Sequence, residues 1–360
     1  MSRPTRARVS AEALLHNARR ARELAPGSRI MACVKADAYG HGLAATGRLL
    51  GPQVDGFAVA CMEEAVVLRE AGLQNPVLLL EGPHTRGEIV LAVRENLSLC
   101  ISDARQLAWL EESALPEPPE CWLKIDTGMH RLGFAPSQAA NALARIKRLG
   151  ARLSPVLCTH FASAENRDDA STREQLRLFS DSTRGLPGMR SCANSAAIFA
   201  LPESHGDWIR PGYMLYGGSP FAERSPAELE LRPAMELSAE VIALREVAAG
   251  GGVGYGGRWV ARRPSRIATI AAGYGDGYPR HAADGTAVRI GKRRCPLAGR
   301  VSMDMITVDV TDAPEVTVGS RAILWGSDPG IDEVAAGAAT IGYELLAGLP
   351  ARVPRVYAES

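Results

Sequence analysis

The chain has 360 residues, 46% of them hydrophobic and 22% charged, and its 41 Lys+Arg against 40 Asp+Glu leave a net charge of +1. At roughly 150 residues per domain this is about two domains with room for a large core. So balanced a charge excludes a bulk electrostatic pull toward nucleic acid or membrane, and leaves a small molecule and a second copy of the chain as expected partners. Seven cysteines, several inside apolar runs (Cys33, Cys100, Cys158) and none in a CxxC pair, read as reduced, buried thiols and not as disulfides or a zinc site. No metal is expected.

Arg3, Arg6 and Arg8 have no apolar core behind them, so the N-terminus does not read as a secretory signal. A transit peptide could look similar, but Ser10 followed by Glu12, Leu14, Leu15, Ala18 and Leu24 reads better as a capped amphipathic helix. No apolar run approaches the ~18 residues of a membrane span. The expected location is the cytoplasm.

From residue 29 to 217 short apolar runs alternate with helix-periodic segments. The runs are 30–35, 56–60, 77–81, 97–102, 121–126, 155–160, 191–195 and 208–216, and helical stretches such as 62–71 and 137–149 end at Gly72 and Gly150. Continuous apolar strands alternating with helices point to a parallel sheet, and eight of them fit a TIM-like (β/α)₈ barrel in α/β style. A doubly wound open sheet is the alternative. Lys35, Arg131, His160, Asn194 with Ser195, and Arg210 all fall where runs end, as barrel site residues do, and Ser195 and Gly212 fall where barrels often hold phosphate.

After Gly217 the texture changes. Pro220, Pro226 and Pro233 punctuate a polar linker, then Met235, Leu237, Ala239 and Val241 alternate with Glu236, Ser238 and Glu240. Turn clusters at 250–252, 284–285 and 328–330 separate further strands, with a helix over 331–346. The expected division is a barrel domain over 1–229 and a C-terminal, mainly antiparallel β domain over 230–360.

Val34-Lys35-Ala36-Asp37-Ala38-Tyr39-Gly40-His41-Gly42 is the organising stretch. An amine at the end of a buried strand can lose its proton by desolvation and attack a carbonyl, the chemistry of a Schiff-base lysine. Gly252-Val253-Gly254-Tyr255-Gly256-Gly257 lacks the ending and context of a P-loop, and the Gly273–Gly277 stretch lacks the helix start of a dinucleotide fingerprint.

The lysine segment closely resembles the cofactor-lysine segment of alanine racemases. Lys124-Ile125-Asp126-Thr127-Gly128-Met129-His130-Arg131-Leu132-Gly133-Phe134, Thr159-His160-Phe161-Ala162, Asn194-Ser195, Ile209-Arg210-Pro211-Gly212, Val253-Gly254-Tyr255-Gly256, Val301-Ser302-Met303-Asp304-Met305 and Ile341-Gly342-Tyr343-Glu344 resemble that family's segments in order. The resemblance implies pyridoxal 5'-phosphate bound through Lys35 and contacted by Tyr39, His160, Ser195, Arg210, Gly212 and Tyr343. It implies Arg131 at the substrate carboxylate or the cofactor's phenolic oxygen, the Met303 backbone amide at the substrate carboxylate, and a lysine that the family can carbamylate at Lys124. Lys35 and Tyr255 are implied as opposed bases, Lys35 for D-alanine and Tyr255 for L-alanine. Tyr255 is expected to enter the site of the other subunit of a homodimer, with His160, held by Arg210, as its relay. An arginine facing the pyridine nitrogen cannot give up a proton, so the ring stays unprotonated, which favours racemisation over transamination. The activity implied supplies or degrades D-alanine. Two other readings stand beside it: a pyridoxal-dependent decarboxylase, for which Cys295 is the one C-terminal cysteine, and a non-catalytic pyridoxal carrier.

Overall fold

The computed structural model describes residues 3–150, 155–166 and 169–358. The chain begins with β1 (Arg6–Ser10) and α1 (Ala11–Leu24), and Ser10 caps that helix by accepting the Ala13 N–H at 3.1 Å. Its inner face, Leu14, Ala18 and Ala21, is fully or almost fully buried, and Asn17 donates to the carbonyls of Leu215 and Arg232.

Eight parallel strands follow: β2 (Arg29–Cys33), β3 (Gly56–Val59), β4 (Val77–Leu79), β5 (Leu97–Ile101), β6 (Cys121–Lys124), β7 (Val156–Cys158), β8 (Met189–Ser191) and β9 (Trp208–Ile209). They pair in the order β8-β7-β6-β5-β4-β3-β2-β9. The amides of Asp207 and Arg210, donating to the carbonyls of Arg190 and Ala193 at 2.9 Å each, bring the two ends of the sheet together. A ring of this order is a (β/α)₈ barrel and rules out the open doubly wound sheet. Met31, Cys33, Ala58, Leu78, Cys100, Trp122, Val156, Cys158 and Trp208 form the packed interior. Because strand side chains alternate with period two, these residues also set which later positions face inward at the carboxyl ends.

The second sheet contains β10 (Met235–Val247), β13 (Ser265–Ile270), β14 (Ala287–Ile290), β15 (Arg293–Pro296), β16 (Ile306–Asp309), β17 (Arg321–Trp325) and β18 (Arg355–Ala358), with a separate hairpin of β11 (Gly252–Val253) and β12 (Trp259–Val260). Its pairings are antiparallel except that of β1 with β18. β1 lies between β10 and β18, so this N-terminal strand joins the C-terminal sheet and a division at 229/230 leaves it on the other side.

The single helix expected over 331–346 is two, Ile331–Ala336 and Gly342–Ala347. Ala339 at φ +52° breaks the run. The second helix then starts against Tyr213, where a Cβ on Gly342 would lie 1.7 Å from the Tyr213 hydroxyl, so only glycine fits. Cys295 lies on β15 opposite Val288 and is buried. Among the described residues no helix is long and apolar enough to cross a membrane and no group of three His, Cys, Asp or Glu could hold a metal.

Candidate active site

The inward parity of the barrel strands, carried past their ends, runs Met31-Cys33-Lys35, Trp122-Lys124, Val156-Cys158-His160 and Trp208-Arg210. Each member stands two positions after the one before it, so four basic side chains from four strands converge at the carboxyl rim. Arg131 joins them from the loop after β6. Asp126 shapes that loop by accepting the amides of Gly128, Met129 and His130 at 3.0 Å each, while the Phe134 amide returns to the Lys124 carbonyl at 2.9 Å. Lys124, Arg131, Thr159 and His160 then line one small cavity.

Arg210 is the best-fixed member. Its guanidinium donates to Ser191 Oγ and the Thr159 carbonyl at 2.6 Å each and to the Cys192 carbonyl at 3.2 Å, with a longer contact to His160 Nδ1 at 3.5 Å. All four partners are neutral. Arginine has no acceptor, so Nδ1 accepts and the neutral imidazole carries its proton on Nε2. Burial, reinforced by the cations Arg210, Lys124, Arg131 and Lys35, holds His160 well below the ordinary histidine range. Burial also lowers the pKa of Lys124, which pairs in register with Cys158 on the neighbouring strand. Sequence reading missed Ser191, whose hydroxyl also donates to the Trp208 carbonyl; a polar residue in the barrel's inner layer was the available signal.

A second group lies beside the first. Ser195 follows the cap residue Asn194, which accepts the Ala197 amide at 3.0 Å, and its own Oγ accepts the amides of Gly212 at 2.9 Å and Met214 at 3.4 Å. A Cβ on Gly212 would stand 2.7 Å from the Tyr39 hydroxyl, so this backbone approaches the phenol as only glycine permits. Tyr39 stacks on Tyr216 with centroids 4.7 Å apart and meets Tyr343 at 6.2 Å. Tyr343 stacks on Tyr213 at 3.8 Å, and Tyr213 donates to Asp332 at 2.5 Å. Burial raises the pKa of all four phenols, so they remain neutral donors.

The turn that follows Lys35 is left-handed. Ala36, Asp37, Ala38 and Tyr39 have φ between +50° and +54°, and Gly40 has φ +74°. None of the first four is glycine, and the conformation costs about 1–2 kcal/mol for each. It is braced by Leu43 N–H to Asp37 Oδ1 at 2.7 Å, by Arg355 Nε to the Gly40 carbonyl at 2.9 Å, and by Tyr357, which donates to the His41 carbonyl. Nothing in the local residue types announces this turn.

Two expected site residues lie apart from this group within the chain. Tyr255 begins the turn of the β11–β12 hairpin and is 69% exposed. Met303 is 53% exposed, and its carbonyl accepts the Gly275 amide at 2.8 Å. The Gly273–Gly277 stretch therefore packs on the Met303 loop; a Cβ on Gly273 would meet the Ser302 carbonyl at 2.2 Å. Asp276, buried beneath it, receives Arg3 and Arg352.

Residues 9–220 match the family model described as alanine racemase, N-terminal domain, and residues 234–357 match alanine racemase, C-terminal domain. An alanine racemase of Thioalkalivibrio sulfidiphilus is 48% identical over 359 residues, with 99% of each chain covered. A Pseudomonas aeruginosa protein named "Alanine racemase, catabolic" is 46% identical over 355 residues, again with 99% of each covered. The crystal structure of biosynthetic alanine racemase from Pseudomonas aeruginosa is 47% identical with a TM-score of 0.96, covering 99% of this chain and 100% of that one.

Proposed function

The chain belongs to the alanine racemase family of isomerases, and we propose that it interconverts L- and D-alanine by a two-base reaction on pyridoxal 5'-phosphate held at Lys35. The observation that carries this reading is the rim of basic side chains with no carboxylate among Arg210's partners in the described residues, beside a hydroxyl-and-amide cradle. Such a site fits a ligand with a phosphate at one end and a neutral ring nitrogen at the other. Ser195, the backbone at Gly212, Tyr39 and Tyr343 would hold the phosphate; the closeness of Gly212 to Tyr39 leaves no room there for a side chain. Arg210 would meet the ring nitrogen and can only donate to it, so that nitrogen stays unprotonated.

Bound pyridoxal phosphate supplies an aldehyde for imine linkage and an electron-withdrawing ring that acidifies the substrate's Cα–H. The chain supplies the rest. Arg131 and the Met303 amide orient the substrate carboxylate. Lys35 Nζ, released as a free amine, takes or returns a proton on one face of Cα. Tyr255 does the same on the other, with D-alanine deprotonated by Lys35 and L-alanine by Tyr255. Two bases on two faces remove any need for the substrate to turn over between proton removal and return. His160, neutral and fixed by Arg210, relays protons to Tyr255.

Exposure of both Tyr255 and Met303 supports a homodimer in which each barrel is completed by the partner's β domain. Cys295, buried on β15, offers no presented thiol for the decarboxylase alternative, and a carrier would leave Arg210's network without a purpose. The near balance of charge fits an enzyme of the cytoplasm that works on a small molecule.

Borohydride reduction of the protein with pyridoxal phosphate, followed by peptide mapping, is expected to place the pyridoxyl label on Lys35. A label on any other lysine overturns the assignment.

A further inference from the structure

Helix Met62–Glu70 begins just after β3, and its first turn carries Glu64. One carboxylate oxygen of Glu64 accepts the Ala36 N–H at 2.6 Å and the other accepts the Ala60 N–H at 2.8 Å. The ladder between β2 and β3 ends with the Val34 amide on the Ala58 carbonyl at 2.9 Å. Beyond the Cys33–Ala58 pair the ladder stops, and Glu64 links the two segments by accepting an amide from each. The Ala36 amide is the peptide N–H immediately after Lys35 and the first of the left-handed turn. Inside that turn the Ala38 amide donates to the Val34 carbonyl and the Gly40 amide to the Ala36 carbonyl, so Ala36 sits within the first of these bonds and accepts the second.

We propose that Glu64 is a positioning residue for Lys35, its carboxylate pinning the Ala36 and Ala60 amides so that the left-handed turn stays formed and the lysine amine stays aimed into the barrel mouth. The inference rests on Lys35 being the cofactor lysine. A charged acceptor shared by two amides is stronger than neutral backbone pairing and has a fixed fork. Glutamate at this helical position reaches the turn from a rigid element, so the lysine's approach is set by the scaffold and not by the turn's own preference. Without it, Ala36 and its neighbours are free to relax out of the left-handed region, where their Cβ atoms are strained.

The test compares Glu64→Ala, Glu64→Gln and Glu64→Ala with Ala36→Gly, all as full chains with pyridoxal phosphate. Measured quantities are kcat and KM for alanine, the rate at which the cofactor's imine absorbance develops, and the fraction of borohydride label on Lys35. Glu64→Ala is expected to lower kcat about tenfold to a hundredfold with a smaller change in KM, and to slow labelling of Lys35. Glu64→Gln keeps one acceptor oxygen and is expected to fall between. Ala36 is exposed, so Ala36→Gly removes little packing while relieving the left-handed strain, and it is expected to recover at least about a third of the lost kcat and labelling rate. A helix-stabilising role elsewhere would not respond to glycine at position 36. The proposal is overturned if folded Glu64→Ala keeps kcat within twofold, or if the glycine restores nothing. Should Glu64→Ala fail to fold, unchanged kcat and labelling in Glu64→Gln overturn it equally. A wild-type label away from Lys35 would defeat the functional reading itself, which separates the two failures.

Discussion

Gly40 closes the left-handed turn, and replacing it with alanine tests how tightly the lysine segment is locked to the C-terminal helix. Gly40 has φ +74°, and a Cβ there would lie 2.0 Å from the Leu346 carbonyl oxygen and 3.0 Å from its carbon. The φ term costs an alanine about 1–2 kcal/mol. The clash is with backbone, so helix Gly342–Ala347 must retreat by roughly 1 Å, at a further cost of about 1–3 kcal/mol. Gly72 supplies the control, since its φ of +85° carries the same conformational penalty but nothing lies within 4 Å of its would-be Cβ. Gly40→Ala should therefore be less stable than Gly72→Ala by about 1–3 kcal/mol in urea unfolding. Helix Gly342–Ala347 also carries Tyr343, so Gly40→Ala should weaken pyridoxal phosphate binding while Gly72→Ala leaves it intact. Equal unfolding midpoints, or equal cofactor affinities, would refute the reasoning.

Tyr255→Phe should retain the cofactor spectrum yet lower kcat by at least about a hundredfold, the contribution expected of a general acid–base. Mixed with Lys35→Ala under confirmed subunit exchange, it should recover up to about a quarter of wild-type activity, because half the dimers then hold one intact site; no recovery argues against shared sites. Burial leaves Lys124 more often a free amine able to take up carbon dioxide with release of a proton, so depleting bicarbonate should slow the wild-type enzyme and not Lys124→Met, and the mass of the Lys124 peptide should report the adduct. His41 is fully buried, and burial lowers its pKa from 6.5 to about 4. Between these values the unfolded chain binds a proton that the folded chain refuses, so stability falls as pH drops through that window, by about 3 kcal/mol in all. His41→Asn should flatten that part of the pH–stability curve; an unchanged slope would show that other groups set it.

Much of the barrel was legible because its signals are local. Seven of the eight apolar runs largely or fully cover a strand, the run 191–195 meets β8 only at Ser191, and Ser10 caps α1 as its position suggests. The strands themselves are shorter than the runs: β8 ends at Ser191 and Ser195 opens a helix, while β9 ends at Ile209 and residues Tyr213–Tyr216 form a 3₁₀ turn. Apolarity there marks burial against the Tyr39 and Tyr343 cluster and not strand pairing. The break at Ala339 is not announced by its residue type, because alanine is a good helix former; its left-handed φ is a property of the folded chain.

By itself the sequence determined which chemical groups stand at the strand ends, since residue identity and a two-residue period are readable over a few positions. It determined equally that a second, β-rich region follows the linker, because turn chemistry is local too. Tertiary structure alone decided that β1 returns between β10 and β18, that Arg210 meets the neutral acceptors of Ser191, Thr159, His160 and Cys192, and that Ala36 to Tyr39 wind left-handed. It also set Tyr255 facing outward. These depend on groups far apart in the chain, where a carboxylate on a neighbouring helix or a strand hundreds of residues away outweighs what each backbone segment would prefer alone.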